Sequence, residues 1–164
     1  MVFPHSYFYE YSCQARLKRQ LSEVITKESP IYESLLFKRV AKAWDIRLTE
    51  KSIRHLNYCM PSVGIVSTCE GSEKVYWPSS QRLDEYKDFR VPGPGGETKR
   101  SIDEIPPEEI ANAMFRVVSD VGTCNTDLLY RETLKLFGLS ALKAKAKACL
   151  DVGMHVLEQS GRIS

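Results

Sequence analysis

A segment rich in proline and glycine near the middle of the chain constrains the fold more than any other feature. Residues 91–96 read Val-Pro-Gly-Pro-Gly-Gly, and this composition cannot sustain a helix or a strand. The surrounding stretch from Asp84 to Ile110 carries eight acidic and four basic side chains. We therefore predict a linker or long exposed loop at residues 84–104, between two folded blocks at residues 12–83 and 105–164.

The first block begins with two amphipathic helices. The first helix, starting near Ser12, has apolar residues at the spacing that places them on one face. Ser29 followed by Pro30 predicts the start of the second helix, because serine caps free amides and proline needs no hydrogen-bond partner in a first turn. The apolar positions of the first helix are Leu17, Leu21, Val24 and Ile25.

A third helix and a hairpin complete the first block. Thr49 predicts the start of the helix and Pro61 its end, with Ile53, Leu56 and Met60 expected to be buried. Residues 63–68 and 74–77 then have the character of two strands joined by a turn that contains Gly71. Three helices closed by a hairpin is the order of a winged helix.

The second block repeats much of this order. Pro106 and Pro107 lead a helix with one apolar stripe, Asn125 or Thr126 caps the next helix, and Ser140 opens a last helix running to about Gln159. Only the tail from Gly161 remains for a strand, so any wing in this block is truncated or absent. The apolar stripe consists of Ile110, Met114, Val117, Val118 and Val121.

The two blocks also resemble each other in sequence. Residues 35–46 align without a gap over residues 128–139, with identical leucines and a shared lysine, and the same register places Ile53 over Ala146. Such self-similarity marks a repeated unit, although two amphipathic helices also match by coincidence. The predicted fold class is mainly α with a small β-hairpin, built from two winged-helix-like (helix-turn-helix) halves in tandem.

Composition excludes several classes of protein. The chain has 164 residues, 43% of them hydrophobic, and a formal net charge of +2, which is unlike a disordered chain. No apolar run approaches the ~20 residues of a membrane span, and the opening residues 1–6 lack the character of a signal peptide. Five widely spaced cysteines without a C-x-x-C pair argue against disulfides or zinc. We expect a cytoplasmic protein that does not contact a membrane.

Three segments resemble one known family. The run from Ser29 to Val40 contains Pro-Ile and then a basic helix ending in Arg-Val, residues 75–78 read Val-Tyr-Trp-Pro, and residues 102–111 read Ile-Asp-Glu-Ile-Pro-Pro-Glu-Glu-Ile-Ala. In their order and spacing they resemble the domain of unknown function 3320, which closes large bacterial helicase-like proteins of superfamily one. The resemblance covers roughly Leu21 to Ile163. It implies a nucleic-acid-handling context, with an upstream helicase or nuclease region as a partner in the same chain.

The third helix carries the main candidate surface. Between Leu36 and Met60 there are six basic and two acidic residues, and a recognition helix must present basic and polar groups to phosphates and base edges. A solvated amphipathic helix has a similar composition. Other candidates for phosphate contact are Lys74 near the hairpin turn, and Lys143 and Lys147 in the last helix. The candidates in and before the third helix are Lys38, Lys42, Lys51, Ser52, Arg54, His55 and Tyr58.

Aromatic residues leave a further choice open. Trp44, Trp77 and the stretch Tyr7-Phe8-Tyr9-Glu10-Tyr11 suit base stacking, but such residues are more often core anchors or contacts to an upstream domain. The three histidines, His5, His55 and His155, have no partner at a recognisable spacing. We therefore predict no catalytic residue, no metal site and no cofactor.

The predicted function is binding of nucleic acid, with DNA expected, by a non-catalytic accessory module. The alternative is a protein-interaction or homodimerisation module that uses the winged-helix shape only as a scaffold. The near-neutral net charge favours the alternative, whereas the basic third helix and the family resemblance favour DNA. An exposed apolar patch would point to docking, and a continuous positive stripe to DNA.

Overall fold

The computed structural model describes residues 5–96, 98–122 and 124–163. Within these residues the chain forms six α-helices and one three-stranded antiparallel sheet, which confirms the mainly helical class with a small β element. The chain divides into two compact units between Arg82 and Leu83. Glu97, Thr123 and Ser164, which fall within the predicted linker and second half, lie outside the described residues; the predicted domain boundaries remain predictions.

The first unit contains three helices and the sheet. Two 3-10 helices, His5–Tyr9 and Tyr11–Cys13, precede them. Strand β1 pairs with β3, and β3 with β2, so that β3 is the central strand. The elements are α1 (Gln14–Glu28), β1 (Ile31–Tyr32), α2 (Glu33–Ala43), α3 (Glu50–Tyr58), β2 (Ile65–Glu70) and β3 (Glu73–Pro78).

The first helix forms on the predicted face, but the second begins later than predicted. Leu17, Leu21 and Ile25 of α1 are fully buried. Ser29 and Pro30 do not open a helix; a short strand follows them and α2 begins at Glu33. The prediction was wrong here because Ile31 pairs with Tyr76 of β3 and is fully buried, a distant contact that a local capping pattern does not reveal.

The predicted hairpin is present, with its turn at Gly71. Gly71 has φ of +63°, a conformation that glycine adopts without steric cost. Strand β3 buries three successive side chains, Val75, Tyr76 and Trp77, and it contacts both α1 and α2 as well as its two neighbouring strands. The Trp77 indole also donates a hydrogen bond to the Thr68 hydroxyl over 3.1 Å.

Helix α3 is rotated relative to the predicted arrangement. Thr49 caps it as predicted, and Leu56 is fully buried, but Ile53 is 39% exposed and Met60 is only partly buried. The buried side instead consists of Ser52, Leu56 and Cys59. A serine at a core position breaks the apolar pattern. The apolar spacing therefore predicted burial of Ile53 and Met60 in place of the adjacent Ser52 and Cys59.

The second unit consists of helices and the loops that join them, with no strand among its described residues. Two 3-10 helices, Leu83–Glu85 and Ile102–Glu104, lie in the segment predicted as a linker. Asn125 caps its helix as predicted, accepting the Leu128 amide over 2.8 Å. The helices are α4 (Pro107–Val121), α5 (Thr126–Leu136) and α6 (Ala144–Gln159).

Helices α4 and α6 pack closely because of a glycine. A Cβ added at Gly153 would lie 2.8 Å from Ile110 Cβ and closer still to the Ile110 Cγ2 methyl. Ile110 and Met114 of α4 are buried as predicted, but Val121 at the end of the stripe is 58% exposed. Helix α6 begins at Ala144 rather than at Ser140.

A buried ion pair fixes the long segment before α4. Glu109 is fully buried, and Arg100 donates to both of its carboxylate oxygens over 2.6 and 3.0 Å. The Arg90 amide also donates to Glu109, over 2.9 Å. Charges this deeply buried persist only when they are paired and hydrogen-bonded. The segment around Arg90 and Arg100 is therefore packed against its own unit.

The helices of the two units correspond in length and spacing. Helices α1 and α4 each have 15 residues, and α2 and α5 each have 11. Gln14 to Pro107 and Glu33 to Thr126 are the same 93 positions apart, the offset of the sequence alignment. Both α2 and α5 end in a hydrogen bond of the Schellman type. The Ile46 amide donates to the Ala41 carbonyl after α2, and the Leu139 amide donates to the Leu134 carbonyl after α5, each over 2.9 Å.

The correspondence shifts by one residue at the third helix. The buried positions of α3 and α6 have the same spacing, but they match only when one residue is inserted before α6. Continuing the alignment without a gap, with Ile53 over Ala146, was therefore wrong. The matched buried pairs are Ser52 with Ala146, Leu56 with Leu150, and Cys59 with Gly153.

The rotation of α3 predicts unequal effects of two alanine substitutions. Leu56→Ala should lower the free energy of unfolding by about 2–5 kcal/mol, because it opens a cavity in the core. Ile53→Ala should cost under about 1 kcal/mol, because that side chain is partly solvated. Urea denaturation followed by tryptophan fluorescence measures both, since the two tryptophans, Trp44 and Trp77, lie in the first unit. Equal losses would contradict the observed rotation.

The α4–α6 contact predicts that an intrinsically favourable helix substitution is destabilising. Alanine normally stabilises a helix interior by about 1 kcal/mol relative to glycine. Gly153→Ala should instead lower stability by about 1–3 kcal/mol, because the added methyl overpacks the contact with Ile110. Thermal unfolding followed by circular dichroism measures the change, with exposed Val152→Ala as the control. A raised melting temperature for Gly153→Ala would contradict the close packing.

Candidate nucleic-acid interface

The orientation of α3 is set by its N-terminus and its buried side. The Thr49 amide donates to the Ser52 hydroxyl over 2.7 Å, and the Ser52 amide donates to the Thr49 hydroxyl over 3.3 Å. The Ser52 hydroxyl also donates to the Arg47 carbonyl over 3.1 Å. This reciprocal capping box satisfies amides that have no partner within the helix.

The opposite side of α3 faces solvent. We define the α3 surface as Lys51, Ile53, Arg54, Asn57 and Tyr58, the exposed residues that follow the equally exposed first residue, Glu50. Tyr58 is 73% exposed. Arg54 and Tyr58 are four positions apart and thus neighbours along the helix, and Lys51 is three before Arg54. Three of the predicted contact residues, Lys51, Arg54 and Tyr58, therefore share one face.

Both cations of the α3 surface are accessible to a ligand. The Arg54 guanidinium lies 3.0 Å from the Glu50 carboxylate, and the two side chains are 78% and 89% exposed. An exposed pair of this kind contributes little energy and is easily exchanged. The Lys51 ammonium lies 4.4 Å from the centroid of the Tyr9 ring, which orients the side chain without neutralising its charge.

Two predicted contact residues do not lie on this surface. Ser52 is fully buried and belongs to the capping box. The His55 ring nitrogen Nε2 lies 3.0 Å from the Phe8 carbonyl, and the ring packs against Phe8 and Tyr9 with centroids 5.2 and 5.1 Å away. His55 therefore holds the N-terminal aromatic segment on α3. No local pattern indicated this role, because Phe8 and His55 are far apart in sequence.

The aromatic stretch divides between core and surface. Phe8 is 1% exposed and Tyr11 is 86% exposed. Trp77 is in the core, whereas partly exposed Trp44 packs beside Phe8, with ring centroids 5.6 Å apart. Of these aromatic residues, only Tyr11 offers a freely accessible ring.

Lys38 and Lys42 lie on α2, and a third basic residue lines the same groove. Both are exposed and line a groove with Arg47, an exposed residue of the α2–α3 connection. Arg47 was overlooked as an individual candidate, although it contributes to the basic count between Leu36 and Met60. The carboxylate of Asp45 lines the same groove, so its local charge is positive but not uniform.

Lys74 is exposed on β3, with acidic neighbours near the hairpin turn. It lies opposite Cys69, and the next pair toward the turn is Glu70 with Glu73. The Glu73 carboxylate accepts the Ser34 amide at the start of α2 over 2.9 Å. One of the two acids near Lys74 is thus engaged in holding the hairpin on α2.

The candidates of the second unit lie on α6. Lys143 precedes the first turn and lines a groove with Lys99 and Lys145, and Lys147 is exposed one turn further on. Lys145 pairs with Asp103 over 2.9 Å. A hydrogen bond from Ser101 and a smaller contribution from Lys145 lower the pKa of Asp103. The hydrogen bond between Lys145 and Asp103 also raises the pKa of Lys145.

Two further observations concern residues 5–96, 98–122 and 124–163. No three histidine, cysteine, aspartate or glutamate side chains among them are grouped so that they could hold a metal ion. In the same residues, no helix combines the length and apolar character needed to cross a membrane.

The sequence matches one family model over part of its length. Residues 7–55 match the family described as Protein of unknown function (DUF3320). The matched range runs from the first 3-10 helix into α3, so it includes the motif from Ser29 to Val40 but not residues 75–78 or 102–111. The match supports the resemblance to this family in the first unit. No curated protein and no solved structure matches the chain.

The buried position of Ser52 predicts a structural effect of its substitution. Ser52→Ala should lower the free energy of unfolding by about 1–2 kcal/mol, because the capping box loses its hydroxyl. Exposed Ser62→Ala is the matched control and should change stability by under about 0.5 kcal/mol. Urea denaturation monitored by tryptophan fluorescence measures both. A Ser52→Ala protein as stable as the wild type would show that the cap is dispensable.

Proposed function

We propose that the chain is a non-catalytic nucleic-acid-binding module, with DNA as the expected ligand, and that α3 of the first unit makes the main contact. The observation that carries the proposal is the α3 surface, where Lys51, Arg54 and Tyr58 share one exposed face while Ser52 and Leu56 fix the opposite side. A recognition helix requires this division between a buried side and a polar, cationic side.

The first unit is proposed to be a winged helix. Its element order, α1, β1, α2, α3, β2, β3, and its strand order, β1-β3-β2, support this assignment. In such a module α3 would enter a groove and the β2–β3 hairpin would flank it. A second winged-helix-like half is proposed from the matching helix lengths of α1 and α4 and of α2 and α5.

Binding would depend mainly on neutralisation of phosphates. Lys51 and Arg54 would contact the backbone nearest α3, and Lys38, Lys42 and Arg47 would supply further charge from their shared groove. Such contacts displace condensed counterions, so that affinity falls steeply with salt. They carry no sequence information by themselves.

The cellular context is proposed from the family resemblance. A family model matches residues 7–55, and the resemblance implies a bacterial protein in which this module assists a helicase or nuclease region. The spacing of the cysteines favours a cytoplasmic location. The module would hold the nucleic acid while another region acts on it.

A docking function is the second candidate. Ile53 is 39% exposed within the α3 surface, and Val63 and Val66 in the following segment are 81% and 39% exposed. Exposed apolar residues are typical of protein interfaces when they form a continuous patch. In this alternative the first unit would bind a second copy or another protein through these side chains.

Salt-dependent binding tests the first proposal. Labelled DNA should bind with an affinity that falls linearly with salt on a log-log plot. The double variant Lys51→Ala, Arg54→Ala should reduce the magnitude of that slope by roughly one to two, because each lost phosphate contact releases about one counterion fewer. Fluorescence anisotropy across a salt series measures the slope.

The control has the same change in charge elsewhere. Arg116 and Arg131 are exposed and each pairs with an aspartate four positions away, as Arg54 pairs with Glu50. Arg116→Ala, Arg131→Ala should leave the slope close to that of the wild type. Equal effects of the two double variants would indicate non-specific attraction. No binding at low salt, combined with a dimer in light scattering that Val63→Asp dissociates, would favour the docking function.

A further inference from the structure

We propose that a groove between the N-terminal segment and the end of α3 binds an unpaired nucleobase, so that the module prefers nucleic acid with a single-stranded portion. The inference rests on the proposed function and specifies its ligand. The groove measures about 650 Å³, within the range of clefts that hold small ligands. Its lining includes Tyr11, Gln14, Lys18, Tyr58, Met60 and Ser62.

Two exposed tyrosines border this groove. The Tyr11 side chain is 86% exposed and the Tyr58 side chain is 73% exposed. Each ring offers a face on which a base can stack, an interaction that tolerates every base because each has a π-face. Neither ring is part of the buried core.

Tyr11 is held in position by buried neighbours on both sides. Phe8 and Cys13 are each 1% exposed, and the contact of the Phe8 carbonyl with His55 ties the segment to α3. A ring presented by a fixed backbone loses little conformational freedom on binding. The exposure of Tyr11 is thus a property of an ordered segment that is anchored at two points.

The chemistry of the remaining lining suits a nucleotide better than an apolar peptide side chain. Lys18 is exposed at the groove and offers a cation for the adjoining phosphate. Gln14 and Ser62 carry donor and acceptor groups that match the polar edge of a base. An apolar ligand would leave these groups without a role.

The groove is continuous with the α3 surface. Tyr58 belongs to both, and Arg54 lies one helical turn before it. A strand whose phosphates contact Lys51 and Arg54 would therefore reach the groove with its next nucleotides. Duplex DNA keeps its bases stacked inside, so only an unpaired base can enter.

The test compares ligands that differ in the presence of bases or in base pairing. A labelled oligothymidine of about 12 nucleotides, within the usual site size for single strands, is compared by fluorescence anisotropy with an abasic strand of the same length and with duplex DNA. The wild type should bind the oligothymidine roughly 5- to 150-fold more tightly than the abasic strand, the range expected for stacking of one base.

Substitution of the tyrosines locates the effect. Tyr11→Ala and Tyr58→Ala should each reduce the preference for oligothymidine over the abasic strand. Tyr11→Ala, which lies outside the α3 surface, should do so while affinity for the abasic strand and the salt slope remain unchanged. Tyr11→Phe and Tyr58→Phe are matched controls and should retain the preference, because phenylalanine keeps the ring. Circular dichroism checks that all four variants are folded, which we expect because both side chains are exposed.

The outcomes separate this inference from the proposed function. Equal affinity of the wild type for oligothymidine and the abasic strand, with a normal salt slope, would overturn the base site and leave nucleic-acid binding intact. A loss in the phenylalanine variants as large as in the alanine variants would overturn stacking. Failure of every ligand to bind at low salt would overturn the proposed function and the inference together.

Discussion

Burial of Leu56 and Ser52 fixes the rotation of α3 about its axis, and that rotation decides which of its side chains reach solvent. Leu56 and Cys59 pack into the core, while Ser52 both faces inward and completes the cap with Thr49. The side chains of the α3 surface, on the opposite side of the helix, therefore face water. A helix of nine residues has little stability of its own, so its position is set by the contacts of its buried side.

The sequence was informative where structure follows from local chemistry. The face of α1, the cap at Thr49, the cap at Asn125 and the turn at Gly71 were all predicted from patterns within a few residues, and all are present. Each depends on hydrogen bonds or apolar spacing that the chain satisfies with its own neighbours. The coarse fold class follows from these elements.

Contacts between distant residues account for what the sequence did not reveal. Strand β1 exists because Ile31 pairs with Tyr76. The His55 ring contacts the Phe8 carbonyl, and it therefore does not face a ligand. The groove between Tyr11 and Tyr58 likewise joins segments that are far apart along the chain. The aromatic stretch at the N-terminus suited either base stacking or a place in the core, and only the fold separates buried Phe8 from exposed Tyr11.

The one-residue shift between α3 and α6 has a consequence for any comparison of the two halves. A single residue corresponds to a rotation of about 100° around a helix, so an alignment without the gap transfers each position to the wrong side. In the corrected phase, Arg54 and Tyr58 correspond to Ala148 and Val152, and Lys51 corresponds to Lys145, which is paired with Asp103. Hybrids of the two units should therefore be joined in this phase, where the buried positions coincide and the outward chemistry differs.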